Sequence, residues 1–416
     1  MTIKLKIEKL VYGGQALARH DGRVVFLWGA LPGEEVEAKI IEEKKNFAVA
    51  ELVKVLTPAP ERIEPVEDHW GSCSPWQIMT EEAENEWKQT ATFEMYQKAK
   101  GLPVDFELNL YSDVKNFWHY RNKMEYNFTT NESGEICYAF FARDSHDLIA
   151  HEGCLLASKK ISEASDRVLS WLRESKIEVE KLQKIIFRSN SAGEVLTALF
   201  VSDDFILTTT PTEDALLIGF SVYQGKKKLF QQGKKSLVEK IGGLNFRFDC
   251  LSFFQINPAV FEVALSDIKK NIAPGDKVLD YYSGVGLIGL SVAQQANTLE
   301  LVEADEVSTT WAWQNIEDNK IKNAHVLVGS VEANLDKIKK DKTVIFDPPR
   351  SGLDRRVLNR LFEELPEKII YLSCDPATQA RDVATLSSEY EIEFAKLYNF
   401  FPRTPHVEAL MVLIKK

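Results

Sequence analysis

Cys374 closes an apolar run in IIYLSCDPATQARD (369–382), and a polar, helix-like stretch follows it at once. A free cysteine most often serves as a small buried apolar residue. The carboxyl end of a strand, however, is where α/β enzymes assemble their chemistry. A helix beginning over Pro376–Gln379 would favour a thiolate, the nucleophilic form. Asp375 acts the other way, because a neighbouring negative charge raises a thiol pKa. Two other stretches carry carboxylates at comparable places. Asp347 lies in VIFDPPR (344–350), where two prolines stiffen a loop and remove its backbone donors. In FFPRTPHVEALMVL (400–413), His406 and Glu408 stand two apart. Strand alternation puts both on one face, either as a base or as a polar edge.

A ligand loop accompanies them. LDYYSGVGLIGL (279–290) satisfies GxGxxG at 284, 286 and 289, directly after a strand ending in Asp280. Gly284 and Gly286 permit a sharp turn and close approach of a ligand, although a tight strand–helix turn alone has the same spacing. Glu303 ends the next strand, 23 residues after Asp280. An acid there binds ribose hydroxyls in Rossmann-like sites. These features do not separate dinucleotides from S-adenosylmethionine. The Asp-Pro-Pro loop does, because it resembles the substrate-facing loop of nucleic-acid and protein amide methyltransferases.

From about residue 276 strands alternate with helices, the pattern of a doubly wound, mainly parallel sheet with its ligand at the strands' carboxyl ends. Residues 1–57 read differently, as short strands separated by Gly-Gly, Asp-Gly and Pro-Gly turns, which suggests a small OB-like barrel. The expected organisation is multi-domain α/β. A barrel spans 1–58, a mixed α+β central domain 59–245, and a Rossmann-like doubly wound domain 246–416. A helix over 81–100 is expected to pack on the last of these.

The chain has 416 residues and a formal net charge of −11, a sum that argues against a nucleic-acid partner. Its lysines are clustered, however, in QGKKKLFQQGKKSLVEK (224–240) and KIKKDK (337–342). Such runs are usually solvated faces, but they leave RNA binding open. The five cysteines are scattered, without a CxxC pair. No apolar run is long enough to span a membrane, and residues 1–25 show no secretory pattern. A reducing cytoplasm is the expected location, with no membrane partner.

Taken together, SFFQINP (252–258), LDYYSGVG, DPPRSG, YLSCDPAT and FPRTPHVE resemble the RNA 5-methyluridine methyltransferases, in the family's order. YRNKMEYNF (120–128) is similar to the family's central-domain segment, and residues 1–57 look like a TRAM-type RNA-binding barrel. The resemblance implies S-adenosylmethionine as methyl donor, Cys374 as nucleophile toward uracil carbon 6, and Glu408 as the base for the carbon-5 proton. It implies cofactor contacts at Gln255, Tyr282, Gly284, Gly286, Glu303 and Asp347. Substrate contacts are implied at Phe253, Asp347 and His406, although Phe253 would otherwise pass for a core phenylalanine. The implied substrate is 23S ribosomal RNA, with transfer RNA uracil-54 as the alternative. A noncatalytic RNA-binding factor is the reading from another class, and a monomer is expected.

Three departures from the family stand out. Many relatives hold an iron–sulfur cluster on four cysteines, whereas VEDHWGSCSPWQ (66–77) keeps only Cys73, and Cys154 in HEGC resembles a fourth ligand left behind. No iron–sulfur cluster and no catalytic metal are expected. Asp375 replaces an asparagine after the nucleophile. Asn399 and Arg403 replace an aspartate and a Gln- or His-type residue, changes expected to alter RNA contacts near the target base.

Overall fold

Alternation builds the first domain. In β1 (Thr2–Leu10) the buried side chains are Leu5, Ile7 and Leu10, and the change of phase coincides with a register shift between Ile7 and Lys9. With β2 (Ala16–His20), β3 (Arg23–Leu27), β4 (Glu35–Glu43) and β5 (Phe47–Thr57) it closes a barrel of order β1-β2-β3-β5-β4. Asp21 and Gly22 form the two-residue turn between β2 and β3, with φ of 49° and 78°, the left-handed pair that matches hairpin twist. The structure is a computed structural model and describes residues 2–416.

The chain after the barrel does not leave it immediately. Trp76, Ile78, Met79 and Ala83 bury themselves against the barrel core. This stretch holds the short helix α1 (Trp70–Cys73) and leads into α2 (Glu81–Lys98), whose first turn is capped by the Thr80 side chain. The following strand, β6 (Asn109–Tyr111), joins the edge of the catalytic sheet.

The central domain proper is a seven-stranded sheet. It is made from β7 (Lys123–Thr130), β8 (Ile136–Phe141), β9 (Leu148–His151), β10 (Leu182–Ser189), β11 (Val195–Val201), β12 (Leu217–Gln224) and β13 (Lys227–Gly233). Its order is β13-β12-β11-β10-β7-β8-β9, with only β11 and β12 parallel. The amphipathic α3 (Lys159–Glu174) covers it through Ile161, Val168, Leu169 and Leu172. The hairpin of β14 (Leu237–Ile241) and β15 (Leu244–Phe248) shares a core with both this sheet and the next. The 59–245 span is therefore divided in space, since α2 and β6 sit on the catalytic sheet.

That sheet follows α4 (Pro258–Lys270). Its strands are β16 (Lys277–Tyr281), β17 (Thr298–Glu303), β18 (Ala324–Val328), β19 (Lys342–Phe346), β20 (Lys368–Ser373), β21 (Tyr390–Tyr398) and β22 (Glu408–Lys415). The helices between them are α5 (Leu287–Val292), α6 (Glu306–Asp318), α7 (Arg355–Glu364) and α8 (Pro376–Leu386). The order is β18-β17-β16-β19-β20-β22-β21-β6, with β22 antiparallel to both its neighbours. Both faces are covered, so the strands read as nearly continuous apolar runs. Val278, Ile345 and Ile370 enter one core, while Leu279, Val344, Phe346, Ile369 and Tyr371 enter the other. Strand order reverses between β16 and β19, where a doubly wound sheet opens its ligand crevice.

Candidate active site

The crevice is a cavity of about 860 Å³. Phe253, Gln255, Tyr282, Gly284, Glu303, Asp347, Cys374 and Glu408 all line it, and a narrower recess beside it reaches Asp280 and Ser283. Gly286 lies outside the lining and has a packing role: at φ 86° it caps α5, and a Cβ there would come within 2.8 Å of Leu290. His406 is also absent from the lining. It is exposed, with its ring edge-on to Phe401, which does face the cavity.

The glycine loop is held open by two strand-end acids. Asp280, fully buried, accepts a bond from the Gly289 amide at 2.9 Å, an approach that a side chain at Gly289 would block. Burial pushes the Asp280 carboxyl up to about 8. Glu303 accepts from the amides of Gly284 and Asp305, both at 2.8 Å, which fixes its carboxylate toward the cavity with lone pairs to spare. Tyr282 takes the left-handed conformation, φ 60°, at the start of the loop.

A second loop, 252–256, is held over the cavity by residues of the central sheet and the segment before it. Arg188 on β10 is wholly buried and donates to the carbonyls of Ser252 and Phe254, at 2.6 and 3.3 Å. Asn122 donates to the Gln255 carbonyl at 3.0 Å through its side chain and to that of Ile256 through its amide. The loop so held directs Gln255 Nε2 to Asp347 Oδ2 at 3.2 Å. Phe253 is not a core residue: it is 64% exposed on the cavity wall, a free aromatic face.

Cys374 follows β20 and Glu408 begins β22. Ser373, the last residue of β20, pairs with Ala409, and Cys374 and Glu408, each one step beyond that pair, line the same cavity. The Cys374 thiol is pushed up to about 12 by burial and then by the carboxylates of Glu408 and Asp347, with Arg350 opposing. Asp347, whose exposed surface is cavity wall, is raised to about 7 by burial. Glu408 is raised well above the ordinary range by burial and by the nearby Asp347 charge, and its Oε2 has no hydrogen-bond partner among the described residues.

Asp375 contributes less to the raised thiol than burial, Glu408 or Asp347. It caps α8, accepting from the amides of Ala377 and Thr378 at 3.0 and 3.2 Å. It also accepts from the Tyr12 hydroxyl at 3.2 Å, so the barrel reaches the residue after Cys374. Burial and the Asp375 charge hold the Tyr12 phenol above its ordinary range, so it stays a donor. A side chain at Gly14 in the same barrel loop would collide with Pro405, 2.5 Å away.

Asn399 and Arg403, expected from sequence to bear on RNA contacts, lie outside the cavity lining. Both are buried against α2. Asn399 accepts from the buried Lys88 at 2.6 Å and donates to Glu84 and Asn85. Arg403 donates to the Met79 carbonyl and pairs with Glu81, while its amide donates to Glu84. These polar residues dock α2 onto the C-terminal motif.

Part of the cavity wall comes from residues outside the expected set. Tyr223, Lys226, Lys228 and Arg350 line it. The signal was the lysine run at 224–240, which comes over the crevice on the β12–β13 hairpin. The other run, 337–342, is a paired surface: Lys337 meets Asp336, Lys339 meets Glu364 and Lys342 meets Glu300. Elsewhere, Cys73 and Cys154 come together with Glu67 and His69, two residues that the sequence did not single out.

The profile of the family described as tRNA (Uracil-5-)-methyltransferase matches residues 97–416. The chain belongs to that family. A TRAM domain profile matches residues 1–53, the barrel. An uncharacterized RNA methyltransferase of Lactobacillus johnsonii is 32% identical over 99% of this chain and 98% of its own length. One from Bacillus cereus is 28% identical over 100% of this chain and 97% of its own. The fold is similar to that of Pyrococcus abyssi tRNA (uracil-54, C5)-methyltransferase in complex with S-adenosyl-L-homocysteine. That likeness has a TM-score of 0.81 at 24% identity, over 99% of this chain and 100% of the other.

This tRNA (uracil-5-)-methyltransferase family member is a methyltransferase that uses S-adenosylmethionine and acts on RNA. The cavity suits that cofactor: Asp280 Oδ1 and Ser283 Oγ are buried there without partners among the described residues, beside a glycine loop with open backbone. Among the described residues, no helix is long and apolar enough to cross a membrane.

Proposed function

We propose that this enzyme methylates carbon 5 of a uridine in 23S ribosomal RNA, with Cys374 as nucleophile and Glu408 as base. The observation that carries the reading is that Cys374 and Glu408 line one cavity with an exposed aromatic, Phe253. Carbon 5 of uracil is too weak a nucleophile to take a methyl group unaided. Addition of the Cys374 thiolate to carbon 6 forms an S–C bond and moves the ring's π electrons toward carbon 5, as an enolate. Carbon 5 then forms its bond to the methyl group. Glu408 removes the carbon-5 proton, the S–C6 bond breaks, and the thiolate is restored.

S-adenosylmethionine supplies the electrophilic methyl group when bound. Gln255, Tyr282, Gly284, Glu303 and Asp347 are its contacts in this reading, with Gly286 shaping the loop. The target base must leave its stack to enter. Phe253 then offers a stacking face, Asp347 a polar edge, and His406 a contact at the rim. Lys226, Lys228 and Arg350 meet the phosphates beside the flipped nucleotide, and the barrel of residues 1–58 binds RNA further out. The enzyme acts as a cytoplasmic monomer.

Transfer RNA is the second reading. The full-length likeness to the Pyrococcus abyssi enzyme includes the barrel, so a barrel does not by itself favour ribosomal RNA. Labelled methyl transfer to separate pools of large-subunit RNA and transfer RNA, both lacking 5-methyluridine, decides between them. The expected product is 5-methyluridine in the large-subunit pool. Methylation confined to transfer RNA replaces the first reading with the second.

A further inference from the structure

We propose that Glu67, His69, Cys73 and Cys154 form a site for one zinc-like divalent transition-metal ion. Their donor atoms all lie within 4.8 Å of one another. Donors about 2.0–2.3 Å from a tetrahedral zinc stand roughly 3.3–3.8 Å apart, so small side-chain movements close the set. His69 Nε2 is already 3.3 Å from Glu67 Oε1, about the nitrogen–oxygen edge of such a tetrahedron.

The second observation is His69 itself. It is more than nine-tenths buried, and its Nε2 makes no aligned hydrogen bond among the described residues, only the 3.3 Å contact with the Glu67 carboxylate. A buried nitrogen without an aligned hydrogen bond is costly, and a metal bond would satisfy it. Cys73 and Cys154 are free thiols, and Cys154 is buried. Glu67 is held by the Leu155 amide at 2.6 Å and the Gln77 side chain at 2.7 Å, and Ser74 in turn orients Gln77. Metal ligands are commonly positioned in this way.

The donor chemistry selects the ion. Two thiolates with an imidazole favour zinc over magnesium or calcium, which take oxygen ligands. Two thiolates and one carboxylate exceed the charge of a divalent ion by one, and the Arg121 cation lies near both thiols. A four-thiolate iron–sulfur cluster does not fit. Cys137 donates toward Thr129, Cys250 toward Ile186 and Leu196, and Cys374 belongs to the catalytic cavity. Donors this close leave room for a single ion.

The site joins two parts of the fold. Glu67 and His69 come from the segment after the barrel, Cys73 ends α1, and Cys154 follows β9 of the central sheet. Arg143 reinforces the junction by bonding the Gly71 carbonyl at 3.0 Å and covering the Trp28 ring of the barrel at 4.0 Å. An ion here would fasten the barrel-bearing segment to the central sheet.

Metal analysis of the full chain, purified without chelator, tests the proposal. The expected result is about one zinc per chain, lost in Cys73→Ser and Cys154→Ser with a lowered melting temperature. Cobalt(II) loading of the unmodified chain gives a reading independent of how the variants fold. It should show thiolate-to-cobalt charge transfer and tetrahedral d–d absorption. A reduced wild-type chain that takes up neither zinc nor cobalt would overturn the proposal. So would iron with acid-labile sulfide, or zinc retained in both cysteine variants.

Discussion

Cys374 and Glu408 line one cavity because β22 runs antiparallel beside β20, with Ser373 paired to Ala409 at the end of the ladder. The one antiparallel strand inserted into an otherwise parallel sheet therefore brings the carboxylate to the thiol. A parallel neighbour at that position would have ended in its own loop. Cys374→Ala should lower methyl transfer by at least about 10³-fold while leaving cofactor affinity nearly unchanged. Isothermal titration with S-adenosyl-L-homocysteine beside a turnover assay separates the two effects. Turnover near wild type would remove Cys374 as nucleophile.

The cavity holds two carboxyls that burial shifts upward, Asp347 to about 7 and Glu408 in the same direction. A raised carboxyl keeps its proton to higher pH, and a base acts only without it. The kcat/KM for RNA should therefore be low near about pH 5 and rise through and beyond neutrality. A pH–rate profile already level on the acid side would contradict the assignment.

Arg350 is the cation that opposes the upward shift of both Cys374 and Glu408. Arg350→Ala should move the alkaline rise of the profile upward by roughly one pH unit, and Arg350→Lys should restore part of it. A loss of affinity with an unmoved profile would mean that Arg350 only holds RNA.

Tyr12 links the barrel to the residue after the nucleophile through its bond to Asp375. Tyr12→Phe removes a hydrogen bond worth about 1 kcal/mol. A kcat reduced about fivefold at unchanged RNA affinity is expected, because the phenol steadies the α8 cap and does not meet the substrate. A fall in RNA affinity alone would place Tyr12 on the binding surface instead.

Lys226 and Lys228 overhang the crevice from the β12–β13 hairpin. Replacing both by alanine should lower the slope of log K against log salt by about 1.4, the value for two single-strand phosphate contacts. Filter binding over a salt series measures it, and an unchanged slope would leave these lysines solvated.

Much of the site was legible because its signals are local. The strand-end cysteine, the GxGxxG turn and the Asp-Pro-Pro loop each lie within a few consecutive residues, and the fold gathers most of them around one cavity. The rest depended on contacts between distant segments. Nothing near Asn109–Tyr111 announces a strand that pairs with Lys396–Tyr398. The docking role of Asn399 and Arg403 emerges only when Glu84 and Lys88 of α2 are found buried against them. Glu67 and His69 gain meaning only when Cys154 arrives from beyond β9. The exposure of Phe253, set by the grip of Arg188 and Asn122 on its loop, was equally invisible.

The most direct test uses Glu408→Gln with RNA and S-adenosylmethionine, followed by denaturing electrophoresis and mass spectrometry of the shifted band. The amide cannot take the carbon-5 proton, so attack and methylation proceed while elimination stalls. The expected product is a covalent adduct in which the peptide bearing Cys374 carries a methylated uridine. Full turnover without an adduct, or an adduct on any other residue, would contradict it.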